Sequence, residues 1–228
     1  MASEYVQERF AQRGWLRTAH RGAPRYATDN TAESIQIAAS FAIDLVEIDV
    51  HLSQDGRLVL WHDEEVVADG RKYRVGEHTL QQLKALPIKG TLATLEEAIE
   101  LVRGKAGLMV DLKAPDLEQP LGQCFKAMNF FDLCVCGGYK GTLEFFREQL
   151  PGVSTSLTPE LFEVIEFSRW DAITVYWRMV NAKLLHSAHQ QGTKVLAWTV
   201  DDLATAGRLL AMGADGITSN DVDMLCAI

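Results

Sequence analysis

Four short stretches of this chain carry side chains able to do chemistry: His20-Arg21-Gly22, Glu47 with Asp49 two residues on, His62-Asp63, and Asp111 with Lys113. Brought together, the three carboxylates Glu47, Asp49 and Asp111 repel one another unless positive charge lies among them. An all-oxygen set of this kind suits one hard divalent cation, Mg²⁺ or Ca²⁺. Two imidazoles flanking it, His20 and His62, can act as general acid and general base near neutral pH. Arg21 and Lys113 add charge for an anionic group. A cation, two histidines and two cationic side chains describe phosphodiester cleavage better than any other reaction class.

The elements that would gather these residues can be read from apolar periodicity. Residues 45–51 alternate, with Val46, Ile48 and Val50 on one face and Leu45, Glu47, Asp49 and His51 on the other. That is the period of a strand. The Asp55-Gly56 pair marks a hairpin turn before a second apolar run, Arg57 to Trp61. As a two-residue turn it would set Asp49 opposite His62. His51, further up the hairpin, is expected as a partly exposed side chain above the site.

Strands are expected to start at Trp15, Leu45, Leu108, Leu133, Val153, Asp171, Lys194 and Asp215. Helical patterns alternate with them, at 32–42, 79–86, 94–102, 118–128, 141–149, 159–166, 180–190 and 202–212, after a short polar helix or tail over 1–14. Thr94 and Glu97 form the signature of a capping box. Eight βα units in 228 residues predict an α/β TIM (β/α)8 barrel. Residues 64–78 form a short polar excursion between strands 2 and 3. An open doubly wound sheet is the alternative, but no glycine-rich phosphate loop follows the first strand. No linker interrupts the chain, so 1–228 reads as one domain. Barrel active sites lie at the C-terminal ends of the strands. His20, Glu47 with Asp49, and Asp111 with Lys113 end strands 1, 2 and 3, and the hairpin returns His62 to the same rim.

Lys plus Arg number 22 against 31 Asp plus Glu, a net charge of −9. Such an acidic surface argues against nucleic acid or an anionic membrane as the main partner. The four cysteines have no metal-site or disulfide spacing and read as reduced thiols, with Cys134 and Cys136 in the core. The charged N-terminus lacks a secretory apolar region, and no apolar run reaches the ~18 residues of a membrane span. A cytoplasmic location without stable membrane association is expected. His186 and His189 share a helix face that reads as solvated.

HRG at 20–22, Asn30-Thr31, EIDVHLSQDGRLVLWHD at 47–63 and DLK at 111–113 resemble the glycerophosphodiester phosphodiesterases, as do AWTV at 197–200 and GADGITS at 213–219. The motifs run in that family's order. The resemblance implies a TIM barrel that hydrolyses glycerophosphodiesters, its small-molecule partners, to glycerol 3-phosphate and an alcohol with a divalent cation. It implies that His20 and His62 are the acid/base pair and that Glu47, Asp49 and Asp111 ligate the metal. By the same resemblance Arg21 and Lys113 hold the phosphate and Trp198 lines the glycerol pocket. The chain departs from the pattern at Asp111, where the family has Glu; at Asp29, where it reads ENT; and at Gly138-Tyr139, in place of Ser-Phe. The short excursion predicts a small lid. Two alternatives stay open: a lysophospholipase D-type enzyme acting on lipids, and a catalytically silent barrel serving as a binding module. The first wants an apolar or basic membrane-facing patch, of which the sequence has no clear sign. The second wants a lost histidine or ligand, and none is lost.

Overall fold

Short buried strands alternating with helices close on themselves here, as a computed structural model describing residues 3–160 and 164–228 makes explicit. Its strands are β1 (Leu16–Ala19), β2 (Leu45–Leu52), β3 (Leu58–Leu60), β4 (Glu65–Ala68), β5 (Arg71–Arg74), β6 (Gly107–Leu112), β7 (Leu133–Gly137), β8 (Ser154–Leu157), β9 (Ala172–Tyr176), β10 (Lys194–Trp198) and β11 (Gly216–Ser219). All but β3, β4 and β5 run parallel, and β1 pairs with both β2 and β11, so eight strands form a closed barrel. The helices are α1 (Glu4–Arg13), α2 (Ala32–Ala38), α3 (Leu80–Lys84), α4 (Leu95–Val102), α5 (Glu118–Met128), α6 (Lys140–Gln149), α7 (Ala182–His189), α8 (Leu203–Met212) and α9 (Val222–Ala227). The Thr94 capping box is formed at α4: Glu97 N–H donates to the Thr94 hydroxyl and Thr94 N–H to the Glu97 carboxylate, at 3.3 and 2.8 Å.

The two faces of each strand serve two cores. Outward-facing Val46, Ile48, Val50 and Val110 pack with Ile99, Phe125 and Phe146 of the surrounding helices. Inside the barrel, Leu16, Leu45, Met109, Cys134, Cys136, Ala172 and Leu196 form a smaller cluster. Most of these lie at the starts of their strands, so the barrel floor is apolar and its upper end is left for polar groups. Val6 of α1 joins that floor, and Ser3 N–H donates to the Ser154 hydroxyl at 2.7 Å. The expected polar helix or tail is thus a plug for the barrel's N-terminal end.

Three details differ from the sequence reading. First, the β2–β3 ladder pairs Val50 with Leu60 and Leu52 with Leu58, one residue off the expected register. The turn holds three residues, Gln54-Asp55-Gly56, with Gly56 at φ 73°, a bulged loop rather than a two-residue one. Second, the polar excursion contains its own hairpin, β4–β5, closed by Asp69-Gly70. Third, residues 161–163 of the helix expected at 159–166 lie outside the described residues, and those flanking them are not helical. Among the described residues no helix is long and apolar enough to cross a membrane.

Candidate active site

Period-two alternation sends Glu47 and Asp49 into the barrel, and parallel pairing sets Asp49 beside Asp111. One oxygen from each of Glu47, Asp49 and Asp111 lies within 4.8 Å of the others. Glu47 and Asp49 are buried, at 5% and 1% exposure. Lys113 Nζ stands 2.9 Å from Asp49 Oδ1 and 2.5 Å from Asp111 Oδ2. Arg21 Nε is 3.2 Å from Asp49 Oδ2 but lacks the alignment of a hydrogen bond. The Arg21 backbone N–H instead donates to Glu47 Oε2 at 2.8 Å.

Electrostatics divide the three carboxylates. Burial pushes Glu47 well above the usual carboxylate range, and the charges of Asp49 and Asp111 push it further. Burial also raises Asp49, but Lys113 and Arg21 more than offset it and leave it lowered. Asp111 stays raised because burial outweighs its bond to Lys113. Burial lowers Lys113 in turn, yet Asp111 and Asp49 carry it above the ordinary lysine value. With all three carboxylates ionised, the two cationic side chains leave one negative charge in excess. A buried, all-oxygen, net-negative donor set fits a divalent cation.

The two histidines approach from separate elements. His20 follows β1, its Nε2 3.9 Å from Glu47 Oε2 and its Nδ1 2.7 Å from Asn220 Oδ1. Burial lowers His20, partly offset by that bond to Asn220. His62 follows β3, with Nδ1 2.7 Å from Asp63 Oδ1. In the observed register Trp61, not His62, stands opposite Asp49, and its N–H donates to the Asp49 carbonyl at 3.1 Å. The chain then leaves the ladder and still delivers His62 to the cavity rim. His51 is buried rather than partly exposed, with Nε2 3.3 Å from the His62 carbonyl.

A cavity of about 180 Å³ is lined by all eight residues singled out from the sequence: His20, Arg21, Glu47, Asp49, His62, Asp111, Lys113 and Trp198. Trp198 Nε1 and Thr218 Oγ1 are buried without a hydrogen-bond partner, and both residues line this cavity. Asp29 pairs with Arg21 at 3.2 Å, and the Tyr139 hydroxyl reaches the Lys113 carbonyl at 3.5 Å.

Sequence reasoning gave no role to Asn30, whose amide bonds both the side chain and the backbone N–H of Asp49, at 2.7 and 3.0 Å. Asn220 and Asp201, behind His20, went unnoticed because loop amides and carboxylates leave no periodic signal. Gly22 explains part of its motif: it has φ 90°, and an added Cβ would lie 2.4 Å from Ser34 Oγ and 2.7 Å from the Ser34 backbone. Gly22→Ala is therefore expected to destabilise the fold by more than about 1 kcal/mol, measured as a lowered denaturation midpoint. An unchanged midpoint would mean that α2 can retreat from the loop.

The sequence model of the glycerophosphoryl diester phosphodiesterase family matches residues 20–131 and 154–224. The Bacillus subtilis protein YhdW is 28% identical over 231 residues, 91% of this chain and 95% of its own length. A glycerophosphodiester phosphodiesterase of Caldanaerobacter subterraneus subsp. tengcongensis is 27% identical, over 91% of this chain and 94% of its own. Among solved structures, an Oleispira antarctica phosphodiesterase in complex with the product sn-glycerol-3-phosphate superposes with a TM-score of 0.83. At 24% identity, over 93% of this chain and 95% of that one, it is a likeness of fold.

Proposed function

The chain belongs to the glycerophosphoryl diester phosphodiesterase family, and on that premise we propose how it cleaves a glycerophosphodiester to glycerol 3-phosphate and an alcohol. Glu47, Asp49 and Asp111 hold one divalent cation, which when bound supplies Lewis-acid charge to the phosphoryl oxygens. Arg21 and Lys113 hold the phosphodiester, and the anion in turn shields each of them from its carboxylate partner. His20 and His62 exchange protons with the attacking and leaving oxygens. Trp198 lines the glycerol end, where its unpartnered indole N–H can donate to a hydroxyl.

One observation carries this reading: three mutually close carboxylate oxygens and both imidazoles face a single cavity. The cavity's about 180 Å³ is small beside the ~300–1,000 Å³ of clefts for drug-sized ligands, which favours a compact polar diester over a bulky lipid. Its charge matters as much as its size. Two cationic side chains facing three carboxylates can balance a monoanionic diester once the cation is bound, but a dianionic monoester adds charge that must also be desolvated. A panel of glycerophosphocholine, -ethanolamine, -inositol and -glycerol, with glycerol 3-phosphate beside them, tests this. Diesters are expected to turn over and the monoester to survive. Faster release of phosphate from glycerol 3-phosphate than of alcohol from the diesters would refute the proposed substrate class.

A further inference from the structure

Three strand ends meet behind His20. β1 lies beside β11 and β11 beside β10, with Ala19 opposite Ser219 and Ala197 opposite Ile217. The His20 backbone N–H donates to the Ser219 carbonyl at 2.9 Å. The segments just beyond β10 and β11 supply Asp201 and Asn220. Neither lines the catalytic cavity, and no step proposed above uses them.

In this network Asp201 only accepts. Its Oδ1 takes the Asn220 backbone N–H at 2.8 Å and the Ser219 hydroxyl at 2.9 Å, and its Oδ2 takes the Asn220 side-chain N–H at 2.7 Å. The Ser219 hydroxyl itself accepts from the Asp221 N–H at 3.0 Å, so its hydrogen is left for Asp201. With its nitrogen turned to Asp201, Asn220 can present only its carbonyl oxygen to His20, and Nδ1 lies 2.7 Å from it. An amide oxygen accepts and cannot donate, so Nδ1 carries the hydrogen. Nε2, 3.9 Å from Glu47 Oε2, is the nitrogen left to gain and lose a proton.

The geometry points to Asp201 and Asn220 as positioning residues that lock His20 in its Nδ1–H tautomer and reserve Nε2 for proton transfer. The inference rests on His20 belonging to the acid/base pair. It holds for either direction of transfer, because Nδ1 keeps its hydrogen in both protonation states. In hydrolytic triads a histidine left in the wrong tautomer costs up to ~10⁴-fold in kcat.

Asp201→Asn supplies the test. Its oxygen must still face the Asn220 backbone N–H, which turns its new NH₂ group onto the Asn220 side chain. Asn220 then flips, offers N–H to His20 and moves the imidazole hydrogen to Nε2. Exchanging both residues, Asp201→Asn with Asn220→Asp, restores an acceptor facing Nδ1 and a matched donor–acceptor pair behind it. Long-range ¹H–¹⁵N correlation spectra of histidine-labelled protein at pH ~8.5, where imidazole is neutral, read the tautomer directly, with His20 assigned from the spectrum of His20→Gln. Wild type is expected as Nδ1–H and the single variant as Nε2–H, with kcat lowered ~10²–10⁴-fold at a KM within a few-fold. The double exchange should regain both the tautomer and most of the rate. A wild-type His20 carrying its hydrogen on Nε2, a measurement that needs no variant to fold, overturns the inference. So does a tautomer switch that leaves kcat unchanged, or a double exchange no better than the single variant. Full activity in His20→Ala would instead sink the acid/base reading while the spectra still reported the lock.

Discussion

Dialysis against a chelator is expected to lower activity by about three orders of magnitude or more, with recovery on adding Mg²⁺ or Ca²⁺. A cation polarising a phosphoryl oxygen contributes several kcal/mol to the transition state, and each ~1.4 kcal/mol is a factor of ten in rate. Binding is separable from turnover. A ligand at a hundred times its Kd stabilises the folded chain by about 2.7 kcal/mol, so saturating cation should raise the wild-type Tm by several degrees. Glu47→Gln should lose both the shift and the activity. It should nonetheless melt no lower than wild type when metal-free. The amide still accepts the Arg21 N–H that bonds Glu47 at 2.8 Å, and it removes a charge buried against Asp49 and Asp111. A Glu47→Gln chain that melts far below metal-free wild type would show that this carboxylate holds the fold rather than a cation. Equal Tm shifts in both proteins would place the cation elsewhere.

Much of this site could be anticipated because its residues end strands whose apolar periodicity is strong. The eight barrel strands begin within one residue of where the sequence pattern puts them, since each is a short, largely buried run, aliphatic in β2, β6, β7, β9 and β10. The two Asp-Gly pairs mark the limit of such reading. Asp69 and Gly70 both have positive φ, at 49° and 71°, and close the two-residue turn that this dipeptide favours. β5 carries Arg71, Lys72 and Arg74 and is largely exposed, and β4 buries only Val66 and Ala68, so no apolar alternation announces the pair. Asp55 instead accepts the Ser53 hydroxyl at 2.7 Å, while that hydroxyl accepts the Arg57 N–H at 2.9 Å. That side-chain bridge widens the loop to three residues and moves the ladder by one. The dipeptide signals a turn, but its neighbours decide the length. The plugging role of α1 was equally hidden, because Val6 is its only buried residue and, with partly buried Tyr5 and Phe10, makes too narrow an apolar face to stand out in a polar segment.

The register change bears directly on the histidines, because His62 reaches the cavity from a loop rather than from a ladder position. Cleaving a diester requires a proton to leave the attacking oxygen, whether of water or of the adjacent glycerol hydroxyl, and another to reach the departing alcohol. His20 and His62 come from β1 and from the hairpin, and both line the same cavity, so one imidazole can serve each oxygen. His20→Ala and His62→Ala are each expected to lose ~10²–10⁴-fold in kcat, with KM changed little because neither residue is needed to hold the phosphate. Since the two transfers serve one displacement, the double variant should be scarcely slower than the worse single one. His51 supplies the comparison. It touches His62 only through a backbone carbonyl, at 3.3 Å, and one such bond contributes ~0.5–1.5 kcal/mol, or at most about tenfold in rate. His51→Ala should therefore fall between wild type and His62→Ala. Losses that multiply in the His20/His62 double variant would show two independent contributions instead of one concerted exchange. A His51→Ala enzyme as slow as His62→Ala would move the second proton-transfer role from the loop back into the strand.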